Sequence, residues 1–187
     1  MNKAWLVLVV LAVWVLGVGG CTVSARNHFV ALEEHVNTAW ANVETVLQRR
    51  YDLIPNLVRT VQGYAAHERQ ILEEITRLRS QWGEARSQAE KVEVAGRLET
   101  ALARLLVVVE RYPDLKASQN FLALQDELAG TENRIAVERR RYNEAVQAYN
   151  TAIRRFPGNL VASWMGLQRR APFQAAPEAA VAPKVEF

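Results

Sequence analysis

The chain has 187 residues, 50% of them apolar, which is enough for one domain with a buried core and too short to expect two. Its 23 Lys and Arg against 20 Asp and Glu leave a net charge of +3 that alternates in sign along the chain, which argues against a nucleic-acid partner. A single cysteine excludes an internal disulfide.

At the N-terminus, Lys3 is followed by "AWLVLVVLAVWVLGVGG", a chargeless apolar run that ends in small residues directly before Cys21. Such a run is a targeting segment. "VGGC" resembles the bacterial lipobox, in which the cysteine is lipidated and becomes the new N-terminus, so Cys21 is the expected lipidation site and residues 1–21 the signal. An uncleaved anchor remains open as the alternative, because the run from Ala4 to about Ala25 matches a bilayer span of about 20 residues. In both cases the rest of the chain is expected outside the cytoplasm, tethered in a bacterial cell envelope.

From His28 onward the apolar residues follow helical spacing, so the fold is expected to be all-α. Phe29, Leu32, Val36, Ala39 or Trp40, Val43 and Val46 form one stripe of a first helix over about 28–51. Beyond Pro55, the positions Leu57, Val61, Tyr64, Glu68, Ile71, Ile75, Leu78 and Trp82 step by 4-3-4-3-4-3-4, a seam for a partner helix with Glu68 as its polar exception. Gly83 is a natural stop. A third run, Val94 to Tyr112, ends at Pro113, and a fourth extends about 42 residues to Phe156 before "PG" ends it.

Proline loses nothing in a first helical turn, so Pro55 is expected to open the second helix, with Asp52 capping it. One long helix kinked at Pro55 is the alternative, since the apolar phase is nearly continuous there. Four such stripes are best buried in an antiparallel four-helix bundle with long coiled-coil-like helices, over residues 28–158. An amphipathic segment, 159–170, and a disordered Ala/Pro-rich tail, 171–187, complete the chain.

The residues offer little for catalysis. "AHERQ" begins an H-E-x-x-H zinc pattern with His67 and Glu68 but has isoleucine at position 71, so no metal ligand set, cofactor or catalytic residue is assigned. "EAVQAYNTAIRRFPGNL" is similar to one tetratricopeptide helix, but no 34-residue period supports it. Glu68 is expected to join a structural polar layer with His67, Glu132, Asn133 and Arg134, pairing with Arg134 across the bundle. Arg49, Arg50, Asp52 and Asn56 form an exposed-looking polar string suited to a partner. The bland reading makes them caps and local pairs. In the segment 159–170, Leu160, Val161, Trp164 and Met165 followed by Arg169 and Arg170 suit a membrane interface with anionic headgroups. They could equally fold back as a lid over the bundle. The tail is expected to offer its last residues, Val185, Glu186 and Phe187, to a partner, or to have no role of its own.

The strings "AWANVETVLQRRYDLIPNLVRTVQGYAAHE" (39–68) and "TENRIAVERRRYNEAVQAYNTAIRRFP" (131–157), with the closing "APKVEF", resemble the LemA family of bacterial envelope proteins. The R-R-x-D-L-I-P-N-L-V and E-N-R-I-A strings carry the likeness, while residues 85–125 match only in helical pattern and Glu138 stands where alanine is common. The resemblance implies a helical bundle displayed outside the membrane from an N-terminal anchor, and no established activity. The function expected is a non-enzymatic scaffold or adaptor, bound to the membrane by its lipid anchor and partnered by an envelope protein or by itself. The alternatives are an envelope hydrolase, or a cell-wall or small-ligand binder, using the His67/Glu68 region.

Overall fold

The computed structural model describes residues 3–173, apart from the side chains at positions 3–7, 10 and 18. Among the described residues the protein is all-α, with six helices and no strand: α1 (Lys3–Gln62), α2 (Arg69–Glu84), α3 (Gln88–Val109), α4 (Pro113–Lys116), α5 (Gln119–Ala152) and α6 (Gly158–Trp164). Contacts divide the chain into two compact units. Residues up to Ala41 with Arg140–Pro172 form the first, and Asn42–Arg139 with Phe173 belong to the second.

The expected corner at Pro55 is not there. α1 continues through it for 60 residues, with Pro55 inside the helix. The reason is visible in the burial pattern of the second unit's stretch. Val43, Leu47, Arg50, Ile54, Leu57 and Val61 are all buried and step by 4-3-4-3-4 straight across the proline. A proline in a helix interior costs about 3 kcal/mol, and burying even two large aliphatic side chains offsets that at roughly 1.5–3 kcal/mol each. The chain turns instead at positions 63–68, where Tyr64, half exposed, and Glu68, partly exposed, break the apolar seam.

α2 then resumes the seam with Ile71, Leu72, Ile75, Leu78 and Trp82 buried. α3 starts at a capping box: Glu90 N–H donates to Ser87 Oγ at 3.1 Å, and Ser87 N–H donates to Glu90 Oε2 at 3.2 Å. Its buried face is Val94, Ala95, Leu98, Ala101, Leu105 and Val109. The single fourth helix anticipated from the sequence is two, because Pro113 sits in the first turn of the short α4 and the chain bends before α5 begins.

In the first unit, α1 buries Phe29, Val36, Ala39 and Trp40, α5 buries Tyr142, Ala145, Val146 and Tyr149, and Ile153 just beyond α5 is buried with them. Trp40 meets Tyr142 edge-on, with ring centroids 5.4 Å apart. After α6 the chain returns along α5. Asn150 Nδ2 donates to the Arg170 carbonyl at 2.8 Å and its Oδ1 accepts from the Arg170 N–H at 2.9 Å. Tyr142 Oη donates to the Ala171 carbonyl at 3.1 Å. Among the described residues no helix is long and apolar enough to cross a membrane, and the undescribed side chains at 4–7, 10 and 18 belong to the apolar run.

Candidate functional site

The second unit carries a charged layer on its buried seam. Arg50 occupies a seam position of α1 and is 5% exposed, so it is not part of a surface string. Its Nη2 donates to Glu132 Oε2 on α5. Beside it, Arg139 Nη2 donates to Glu99 Oε2 on α3 at 3.2 Å. Burial lowers the pKa of Arg50, the charge of Glu99 opposes that, and Arg139 reinforces it. Three helices are thus joined by two ion pairs, and such a layer sets which helices pair and at what height more than it adds stability.

One turn of aromatic packing flanks the layer. Tyr51 stacks on Trp82 at 4.5 Å between centroids and 16° between planes. Trp82 Nε1 donates to Gln48 Oε1 at 3.2 Å, and Lys91 lies 5.4 Å over the Trp82 ring while pairing with Glu44. Burial pushes the Tyr51 hydroxyl well above its ordinary value of 10.0. That hydroxyl is buried without a hydrogen-bond partner among the described residues.

The other sequence-selected residues fall into separate places. Arg49 is exposed, 3.7 Å from Glu127. Asp52 caps nothing: it lies mid-helix and accepts from Gln48 Nε2 at 2.8 Å. Asn56, also exposed, accepts from Arg59 Nη2 at 2.6 Å. These three remain a surface string.

Glu68 takes partners other than Arg134. Its Oε1 accepts from Arg111 Nη2 at 2.9 Å and from Tyr112 Oη at 3.0 Å, because the turn at 63–68 sets it opposite the end of α3. The hydrogen bond to Glu68 raises the pKa of Tyr112. His67, Asn133 and Arg134 are exposed, so of the expected polar layer only Glu132 joins a buried charge. Among the described residues there is no group of three His, Cys, Asp or Glu that could hold a metal.

In the first unit, Cys21 is exposed on α1, and Thr22 Oγ1 donates to the Gly19 carbonyl at 2.8 Å. Of the segment 159–170, Leu160 and Trp164 are exposed at 63% and 81%, Arg169 is exposed, and Val161 and Met165 are partly covered. Arg170 is engaged internally, donating to Glu33 Oε1 at 2.7 Å. Val185, Glu186 and Phe187 lie outside the described residues.

Sequence reasoning missed the pairs Arg50–Glu132, Arg139–Glu99, Lys91–Glu44 and Arg170–Glu33. A signal existed for the first alone: Arg50 is the one charge on the 4-3 seam of α1.

The LemA family model matches residues 39–187. Magnetosome protein MamQ 2 and magnetosome protein MamQ 1 of Paramagnetospirillum magneticum are each 30% identical over 177 residues, covering 81% of this chain and 65% of theirs. Protein LemA of Metamycoplasma hominis is 27% identical over 154 residues, 82% of this chain and 70% of its own. The chain therefore spans 65% of the length of the MamQ relatives it matches. With four-fifths of its length under the family model and its Arg50 and Glu132 strings both inside the match, the chain belongs to the LemA family.

Proposed function

We propose that this protein is a membrane-tethered, non-enzymatic helical scaffold or adaptor of the bacterial cell envelope, anchored at Cys21 and offering its packed helices to another envelope protein or to a second copy of itself. The observation that carries this reading is the continuity of α1. The helix runs from the apolar residues Leu8–Leu16 through Cys21 into the buried Phe29, Val36, Ala39 and Trp40. A tether at Cys21, or at the run itself if it is left uncleaved, therefore meets the packed unit through helix and not through a loop. The magnetosome names of two relatives support a membrane-associated duty, and none of the relatives' names denotes an enzyme.

Within the second unit we read an antiparallel four-helix bundle. Three sets of partners support it: Trp82 against Gln48, Arg104 against Glu74 at 3.1 Å with Arg111 against Glu68, and Glu99 against Arg139. In each, the residue numbers of neighbouring helices run in opposite senses from their connecting turn.

The docking face of this scaffold is the exposed string Arg49, Asp52 and Asn56. Photo-crosslinkers placed at these three positions in intact cells test it. The scaffold reading expects a recurrent adduct, with one envelope protein or with a second copy, from at least one of them. A membrane-retained protein that gives no specific adduct from any of the three contradicts it.

A further inference from the structure

The first unit ends in a tip that the sequence reading placed only roughly. Contacts between α1 and α5 step in opposite directions: Trp40 meets Tyr142, and Glu33 meets the Arg170 that Asn150 holds. Further on, Gly158 lies against Phe29, so closely that a Cβ there would stand 3.0 Å from Phe29 Cζ. The C-terminal end of α5 therefore points toward Cys21, and Phe29 is only about 12 Å along the helix from it. A surface groove of about 870 Å³ is lined at once by Cys21, Ala25, Phe29, Arg155 and Phe156. After α6 the chain doubles back, as the bonds from Asn150 to Arg170 and from Tyr142 to Ala171 require. The reversal at Phe156–Trp164 is thus the apex of the unit on its anchored side.

What that apex exposes is unusual for water. Phe156, Leu160 and Trp164 are 76%, 63% and 81% exposed, and Arg154 and Arg155 are exposed beside them. Large aromatics next to arginines, with little covered, are poor choices for a solvated turn and good ones for the boundary between headgroups and acyl chains. We propose that this apex is a second membrane contact: Phe156, Leu160 and Trp164 enter the interfacial zone of the bilayer, and Arg154 and Arg155 bind anionic phospholipid headgroups. The set shares Leu160 and Trp164 with the one that sequence alone selects and differs from it in the rest. Arg170 is committed to Glu33, and Val161 is partly covered, whereas Phe156, Arg154 and Arg155 lie outside the segment 159–170. The occupant is a lipid surface because Cys21, where the apolar run ends, borders the same groove. A tether at that point holds the apex against the membrane, and two points of attachment fix the tilt of the unit where one would let it swivel.

This inference rests on the tethered reading, so its test measures the two separately. The full-length protein is purified from membranes and reconstituted into vesicles of phosphatidylcholine, with or without phosphatidylglycerol, whose acyl chains carry bromine as a fluorescence quencher. Flotation with the vesicles reports the tether. The contribution of Trp164 is the difference between the native protein and Trp164→Phe, a substitution that an exposed site tolerates and that circular dichroism checks. The contact predicts that this difference emission is quenched, at least about twofold more with phosphatidylglycerol present, and that the extra quenching disappears in Arg154→Glu/Arg155→Glu. Flotation with Trp164 unquenched, or with quenching unchanged in the double variant, overturns the contact and leaves the tether standing. Failure to float overturns both.

Discussion

Arg50 and Glu132 are 82 residues apart in the chain and hydrogen-bonded in the structure, the one buried and the other partly open to solvent. Removing Glu132 leaves a buried guanidinium without its hydrogen-bonded carboxylate, with Glu99, Arg139 and Tyr51 as its remaining neighbours. Glu132→Leu should therefore destabilise the protein by about 1–3 kcal/mol, less than for a wholly buried pair because the carboxylate is already 41% exposed. Arg50→Met with Glu132→Leu should recover much of that loss. Denaturant titration of the four proteins of the cycle should give a coupling of about 1–2 kcal/mol, and strict additivity would show that the pair does not act as one.

Pro55 is an interior residue of α1, so an alanine there should not weaken the helix. Pro55→Ala supplies the N–H that the Tyr51 carbonyl lacks and removes the ring's crowding of the preceding turn. The gain is reduced by the lost contact of a half-buried ring. Thermal melts are expected to show a rise of about 0.5–2 kcal/mol. A loss larger than about 1 kcal/mol would mean that the proline shapes a bend on which the packing depends.

The Tyr51 hydroxyl predicts an alkaline weakness. Its pKa is raised by burial, so the folded protein holds this proton while the unfolded chain releases it near the ordinary value of 10.0. Stability from this group is complete below about pH 10 and is lost as the pH climbs above it, because the unfolded state then binds fewer protons. Tyr51→Phe should flatten that part of the pH–stability curve. At neutral pH it should be neutral or stabilising by up to about 1 kcal/mol, since the buried hydroxyl has no hydrogen-bond partner among the described residues. An unchanged alkaline slope would contradict the assignment.

Gly158 is a packing glycine. A methyl group there would stand 3.0 Å from Phe29 Cζ and 3.2 Å from the Ala152 carbonyl oxygen, and the second of these is backbone. Gly158→Ala should cost about 1–3 kcal/mol, measured by chemical denaturation, and Gly158→Val more. If Gly158→Ala melts with the native protein, the approach of α6 to Phe29 is looser than described.

The all-α class and most of the core were legible in the amino-acid pattern. Ile71, Ile75, Leu78 and Trp82 lie on the seam read from spacing alone, and all are buried. The turn between α1 and α2 was misplaced because proline looks the same at a helix start and in a helix interior. Only the buried phase on both sides, from Leu47 to Val61, distinguishes the two. The seam itself held the better clue: Tyr64 and Glu68 are its two least apolar positions, and the chain turns there. The Arg50 layer was hidden for another reason. Glu132 and Glu99 reach it from two other helices, and no local pattern tells which of 20 acidic residues will meet a given arginine. The apex at Phe156–Trp164 needed the return of the chain along α5, which depends on Asn150 bonding to the Arg170 backbone.

Whether this protein is held to a membrane through its first 21 residues is measured most directly by intact mass spectrometry of the native protein, extracted from the host's membranes after an alkaline wash. The account predicts that the protein stays with the washed membranes and begins at an acylated Cys21. A mass that begins at Met1 in those membranes would move the anchor from the lipid to the apolar run. A protein released by the wash, or one that begins beyond Cys21 without a lipid, would contradict the tether.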